Sequence, residues 1–398
     1  MPKQPNRAPD WEKVHSLFSL DDTIAFFNNG TAGPASNRVS ETRAHYDAEI
    51  ARHPYDPFLF DKVGEVRDSL AAFVNARSDE VFFTHSTTEG MNIFAHGLDW
   101  NAGDEVLIAH YEHPGGAHVY RTLEQRRGIR IKWLELPTTP ESAAQIVDIY
   151  RRAITPRTKL IVVSHVLFVT GVRMPVEELA ELAHANGALI SVDGAQAFGL
   201  LPLNLAASGV DHYAGSGQKW VLAGTGTGFT YIRKELQRRV WPVYGFDDID
   251  APPKYKIGRY EKCGQPNIPA WLGLGAAIEL QREIGPANIE SRALDLTRLV
   301  RFALEETPGV KLYTPADPRL SAALTTFSID GVAPETIVRT LICFGVGLRS
   351  VGLGFRLWLV RFGFGLRLIC FGAHRMIPQS RLPSHFPSLS SDLRFLHQ

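Results

Sequence analysis

From about residue 80 the chain alternates short apolar runs with longer segments whose apolar residues recur at helical spacing. "EVFFTH" (80–85), "DEVLIAH" (104–110), "IRIKWLEL" (129–136), "TKLIVVSH" (158–165) and "ALISVDG" (188–194) are of strand length and rich in β-branched and aromatic residues. "TTEGMNIFAHGL" (87–98) and "PVEELAELAHANG" (175–187) have helical texture. In the second, Val176, Leu179, Ala180 and Ala183 share one face, and Gly187 is placed as a C′ stop. Apolar strands alternating with helices predict an α/β fold with a mostly parallel central sheet covered on both faces. Ligands of such sheets sit beyond the carboxyl ends of the strands, so chemistry is expected in the loops after Phe83, Ala109, Val163 and Val192.

The texture changes at both ends. Residues 1–25 read as a polar lead-in with a short helix, and "FFNNGTAGPAS" (26–36) as a turn with unusual backbone demands. From about 270, helices over 270–284 and 286–306 precede "LTTFSID" (324–330) and "APETIVRTL" (333–341), the pattern of a smaller α+β C-terminal domain. The expected organisation is a lead-in over 1–25, a large domain over 26–268, a small domain over 269–345 and an atypical segment over 346–398. That last segment belongs to a stretch, Thr336 to Ser391, without a single Asp or Glu, and Lys is absent after Lys311. It reads either as a basic, poorly packed tail or as an altered reading frame. Arginines recurring through "LICFGVGLRSVGLGFRLWLVRFGFGLRLICFG" argue against a membrane span.

Composition narrows the partners. Forty-two basic residues balance 42 acidic ones across 398 residues, which gives no reason to expect nucleic acid or an anionic membrane. Cys263, Cys343 and Cys370 are too few and too scattered for a disulfide framework or a CxxC metal site. The start, "MPKQPNRAPDWEKVHSLF", has no apolar h-region, so a cytoplasmic protein is expected.

The candidate chemistry lies in the loops. Lys219, within "SGQKW", is flanked by Gly217, Trp220, Val221 and Leu222. A dry setting disfavours the ammonium form, as an imine-forming lysine with an aldehyde cofactor requires. Asp193 ends a strand run, where a buried carboxylate needs a cationic partner such as a protonated pyridine nitrogen. The alternative for Asp193 is a helix N-cap. Gln196, one loop later, is placed to donate to a ring oxygen. "THSTTEG" (84–90) joins a strand to a helix and offers hydroxyls and backbone N–H groups to an anion. A capping box led by Thr87 or Thr88 is compatible with that. Ser216 can add a phosphate contact, and His113 in "YEHPGG" can stack on a flat ring.

Together, "TTEG", "EHPG", "SHV", "VDGAQ" and "SGQKW" resemble the class V aminotransferase group of pyridoxal-phosphate enzymes over roughly residues 20–335. That group includes cysteine desulfurases, isopenicillin N epimerase-like proteins and cystine C–S lyases. The resemblance implies the PLP-dependent transferase fold type I (aspartate aminotransferase-like), pyridoxal 5′-phosphate, an amino-acid substrate and a homodimer with its active site at the subunit interface. It makes Lys219 the Schiff-base lysine, Asp193 the partner of the pyridine nitrogen, Gln196 the neighbour of the phenolic oxygen and His113 the stacking residue. Thr87, Thr88 and Ser216 match phosphate contacts, with Gln218 at a position often held by His. In "RYEKCGQPN" (259–267), Gln265 stands for the Thr that reaches the partner subunit's phosphate site. Asn29 in "NNGTAGP" borders the substrate, and Arg349 in "GVGLRSVGLG" matches a carboxylate clamp. A second substrate arginine would be Arg361 or Arg367.

Departures from the pattern shape the expected reaction. Phe168 in "SHVLF" replaces an Asn near the cofactor, and no Cys follows Arg349 at the spacing of a persulfide-forming loop. An epimerase-like or C–S lyase-like outcome is therefore expected over desulfuration or transamination. Two other classes compete: a metal-dependent hydrolase using His110, Glu112, His113 and His118, and a class V scaffold whose tail has lost its substrate clamp. On a strand, His110 and His113 face opposite sides, against the first. "GTGTG" (224–228) precedes the strand-like "FTYIRK", so the dinucleotide fingerprint lacks its helix.

Overall fold

The computed structural model describes residues 9–21, 23–54, 56–244, 257–261, 263–343, 346–347, 349–353 and 355–361, with backbone only from residue 342 onward. A short helix, α1 (Trp11–His15), is capped by Asp10 and followed by β1 (Ala25–Phe26), α2 (Asn37–Arg52) and α3 (Phe58–Phe73). Strand and helix then alternate through β2 (Val81–Thr84), α4 (Thr87–Gly97), β3 (Glu105–Ala109), α5 (Pro114–Arg127), β4 (Arg130–Leu134), α6 (Ala143–Ala153), β5 (Thr158–Ser164), α7 (Val176–Ala185) and β6 (Leu189–Asp193). Next come β7 (His212–Ser216), β8 (Gly228–Ile232), α8 (Ile268–Ile284) and α9 (Pro286–Glu305). The described chain ends with β9 (Val310–Leu312), β10 (Leu324–Ile329), α10 (Pro334–Cys343), β11 (Val346–Gly347), β12 (Arg349–Leu353) and β13 (Phe355–Arg361).

The central sheet has seven strands in the order β2-β8-β7-β6-β5-β3-β4. Neighbours from β7 to β4 are parallel, and β8 runs antiparallel to both β7 and β2. Two reversals cancel, so β2 points the same way as β7 and its carboxyl end joins the functional edge. Apolar residues cover both faces, as predicted. On one side Val63 and Leu70 of α3, Leu179 of α7 and Leu274 of α8 are buried against the sheet; on the other, Met91 and Phe94 of α4 and Leu123 of α5. Each such side chain contributes about 1.5–3 kcal/mol. Helix α7 stops where expected: Gly187 adopts φ 73° and donates to the His184 carbonyl at 3.0 Å.

Beyond the central sheet, β12-β13-β10-β9 form a four-stranded antiparallel sheet, with Leu324 opposite Arg361 and Phe327 opposite Leu312. In the segment expected to pack poorly, β13 pairs with β10, and β12 pairs with β13. Backbone pairing asks little of side-chain chemistry, which is why an acid-free composition does not prevent it. Among the described residues, no helix is long and apolar enough to cross a membrane.

Candidate active site

The register of the sheet brings the candidate groups to one edge. Gly228, at the start of β8, pairs with Thr84 on one side and Ser216 on the other. A Cβ on Gly228 would lie 2.8 Å from the Gly215 carbonyl oxygen and 3.1 Å from Ser86 Cα, so only glycine lets the Ser86 turn cross β8. The turn reaches Ser216, whose Oγ accepts from Thr87 N–H at 3.0 Å and lies 2.8 Å from Thr87 Oγ1. Both residues are buried, while Thr88 is exposed. The N-cap of α4 is Ser86, not Thr87 or Thr88: its Oγ accepts from Glu89 N–H at 3.2 Å. Glu89 departs from a full capping box by accepting from His85 N–H. With Ser86 capping, both threonine hydroxyls are left for other partners.

Lys219 occupies a wide π-helical turn, Gly217–Val221, directly after β7. Such turns concentrate at functional sites. It is closed by Leu222, in the left-handed region at φ 66°, donating to the Gly217 carbonyl. A left-handed conformation costs a leucine roughly 1–2 kcal/mol. The surroundings offset it: Gly33 N–H donates to the Gln218 carbonyl at 2.7 Å, and Gln281 of α8 donates to the Trp220 carbonyl at 2.9 Å. Trp220 and Val221 are buried, but Lys219 itself is half-buried, a less dry setting than its flanks imply. Gln196 is held at both ends, donating through Nε2 to the Gly30 carbonyl at 3.0 Å and accepting from Trp220 Nε1 at 2.9 Å. These bonds assign its amide orientation and leave one Nε2 hydrogen free.

Asp193 ends β6, buried, with Ser164 opposite it on β5. Its Oδ1 accepts from Ala195 N–H at 2.9 Å, the local turn bond of an Asx residue. The other oxygen faces Gly116: a Cβ there would stand 3.1 Å from Oδ2, and one on Gly115 would collide with Thr88 Oγ1. Two successive glycines therefore keep open a cradle between the carboxylate and the Thr88 hydroxyl. That shape fits a flat ring with an anionic substituent.

His113 is the N-cap of α5, its Nδ1 accepting from Gly115 N–H at 3.1 Å, and its ring meets Phe168 edge-on at 5.0 Å. Capping assigns the proton to Nε2. The residues of the hydrolase alternative go separate ways: His110 pairs with Glu135 and stacks on Trp133, His113 caps, and Glu112 is buried against Ser164.

Glu112 is a feature that the sequence reading placed only in that alternative. Its carboxyl accepts from Ser164 N–H at 3.0 Å and meets Ser164 Oγ at 2.5 Å. Burial pushes it from 4.5 up to about 8; the Ser164 bonds oppose the shift and the charge of Asp193 adds to it. Between about pH 4.5 and 8 the folded chain holds a proton here that the unfolded chain has released. Stability therefore falls as pH rises through that window and levels off above it, by a few kcal/mol in all. Glu112→Gln should melt with a shallower dependence than the parent over this range in thermal scans. An equally steep fall in the variant would assign the titration to another group.

Two amides, buried Asn29 and half-buried Gln218, complete the setting. Both side-chain atoms of Asn29 are buried without a protein partner, as is Gln218 Oε1. A buried amide without partners costs about 1–3 kcal/mol, so both positions suit contact with a ligand. Gln265 is exposed in the single chain. Arg349 lies in β12 opposite Leu359, and Arg361 ends β13; their side chains fall outside the described set, as do Arg367 and Cys370 entirely.

Comparison with known proteins agrees with this geometry. The family model Aminotransferase class-V matches residues 25–356. Isopenicillin N epimerase from Streptomyces clavuligerus is 32% identical over 337 residues, covering 80% of this chain and 84% of the relative. A probable cysteine desulfurase from Methanothermobacter thermautotrophicus is 29% identical over 77% of this chain and 78% of its own length. Among solved structures, the apo cysteine desulfurase of Thermococcus onnurineus NA1 superposes with a TM-score of 0.80 at 25% identity, covering 90% of this chain and 94% of that one. A cystine C–S lyase in complex with cysteine persulfide gives 0.79 at 24% identity, over 86% and 94% of the two chains, a likeness of fold. The fold is α/β, as the strand and helix pattern predicts, and of type I, as the resemblance implies; the chain belongs to the class-V aminotransferase family.

Proposed function

We propose that this chain is a pyridoxal 5′-phosphate enzyme acting at the α-carbon of an amino-acid substrate, with an isopenicillin N epimerase-like or C–S lyase-like outcome, as a cytoplasmic homodimer. The observation that carries the reading is the meeting of Asp193, the Lys219 turn and the Thr87–Ser216 contact at the carboxyl ends of β6, β7 and β2, beside the Gly115–Gly116 cradle.

When bound, the cofactor supplies an electron sink for charge released at the α-carbon. Lys219 would hold it covalently and, once released by substrate, take and return the α-proton through its amine. Asp193 presents a carboxylate to the ring nitrogen, while a protonated Glu112 spares that site a second negative charge. Thr87, Thr88, Ser216 and Gln218, with the N-terminus of α4, hold the phosphate, and Gln265 adds a contact across the dimer. His113 would stack on the ring, and Phe168, which meets His113 edge-on, would help to keep water from it. Gln196, with one Nε2 hydrogen left after its bond to the Gly30 carbonyl, would donate to a ring oxygen. Asn29 and Arg349 bind the substrate.

The lack of a cysteine at loop spacing after Arg349 favours epimerisation or β-elimination over transfer of sulfur to a protein cysteine as persulfide. A product screen tests this. Cysteine, cystine, sulfoxide conjugates and small peptides are offered to the purified protein while pyruvate, sulfide and inverted stereochemistry are followed. Pyruvate release or inversion is expected. Stoichiometric alanine from cysteine, with sulfur left on the protein, would return the desulfurase reading instead.

A further inference from the structure

Behind the phosphate-side turn lies a cluster that the proposed reaction does not use. His85 and Glu89 flank the Ser86-Thr87-Thr88 turn, and Cys263 approaches them from the segment that follows the short 3₁₀ turn at 257–260. One ligand-capable atom from each residue lies within 4.8 Å of the other two. We propose that His85, Glu89 and Cys263 form a three-ligand site for a divalent cation, zinc(II) by its donor set.

Three observations support the assignment. The first is chemistry: imidazole nitrogen, carboxylate oxygen and thiolate sulfur are together the ligands of tetrahedral zinc, and softer or harder cations match only part of the set. Zinc bonds of about 2.0–2.3 Å put tetrahedral ligand atoms roughly 3.3–3.8 Å apart. His85 Nδ1 and Glu89 Oε2, hydrogen-bonded at 2.8 Å, would therefore open by about half an ångström, and atoms as far apart as 4.8 Å would close by about 1–1.5 Å. The second is support behind the ligands. Tyr244 donates to Glu89 Oε1 at 2.9 Å and His85 N–H donates to Oε2, which orients the carboxylate as a metal-binding carboxylate requires. The third is anchoring of the distant ligand. Glu261, two residues before Cys263, forms a paired bond with Arg67 and accepts from Phe83 N–H at 2.8 Å, while Cys263 N–H donates to the Glu261 carbonyl at 2.8 Å. The thiol is thus carried on backbone pinned to β2, the strand that leads into His85.

Three protein ligands leave one position of a tetrahedron for water, and the Cys263 thiol gives its proton to solvent as the ion binds. The ion would clamp the first turn of α4 to the 257–263 segment, making the geometry of the Thr87–Thr88 turn depend on metal as well as on the Thr87–Ser216 contact. In the single chain Cys263 is exposed and unpaired with another cysteine.

The test uses the cofactor-loaded full chain. Zinc is removed with a chelator, and the protein is titrated with zinc and separately with cobalt(II), whose thiolate bond adds near-ultraviolet absorbance and whose tetrahedral geometry intensifies its visible bands. One ion per chain is expected, with the thiolate band lost in Cys263→Ser and zinc affinity at least tenfold weaker in Cys263→Ser, His85→Ala and Glu89→Gln. Unchanged melting and cofactor absorbance of Cys263→Ser before metal is added would confirm that the variant is folded. Absence of zinc binding at micromolar free ion, or unchanged affinity and an unchanged cobalt spectrum in Cys263→Ser, would overturn the proposal.

Discussion

Lys219→Ala should lose both the visible absorbance of lysine-bound cofactor and α-proton exchange, while the fold survives. Removing a positioned general base alone costs roughly 10²–10⁴-fold, and the covalent hold on the cofactor is lost as well. The fold should survive because the turn is fixed by its backbone. Gly33 N–H and Gln281 bind the carbonyls on either side of Lys219, and Trp220 and Val221 supply its buried surface. Cofactor titration followed by deuterium washout from an amino acid checks both halves. Absorbance that persisted unshifted would mean that another amine does the work, and a collapsed melting transition would mean that Lys219 is structural.

Asp193→Asn should separate binding from turnover. The variant keeps the Oδ1 carbonyl that accepts from Ala195 N–H, so the turn after β6 and the cofactor cradle stay in place. What disappears is the charge facing the cradle. Loss of one preorganised electrostatic group of this kind costs roughly 10²–10³-fold in turnover. Cofactor retention with a drop of that size is expected in steady-state assays, and an unchanged rate would remove Asp193 from the electron-sink role. A second readout is independent of activity. Asp193 helps to hold the Glu112 carboxyl above its ordinary range, so its neutralisation should move the pH-dependent loss of stability to lower pH.

Some of the site was legible because local pattern and local chemistry coincide there. Each apolar run of the alternating region became a strand, since residues such as those of "LIVVS" have nowhere to go but a sheet covered on both faces. Strand β7 was not foreseen: "HYAGS" has no β-branched or aliphatic run, and its burial comes from neighbours on both sides rather than from its own composition. The cap of α4 fell to Ser86 rather than a threonine, because Thr87 is drawn to Ser216, a residue far along the chain. Glu112 was visible only as one of several titratable residues in "AHYEHPGGAH"; its raised carboxyl follows from burial beside Ser164 and Asp193, which no local window contains.

By itself the sequence determined the alternation of strand and helix, the edge of the sheet where ligands belong, and the residue types that make a lysine-held aldehyde cofactor the natural occupant. These are short-range properties: periodicity, turn chemistry and functional groups are carried within a few residues. The tertiary structure alone decided which groups meet: Ser216 with Thr87 across Gly228, Glu112 with Asp193, and Cys263 with His85 and Glu89. Those meetings depend on strand order and register, and on long-range contacts that close only when the whole sheet is assembled.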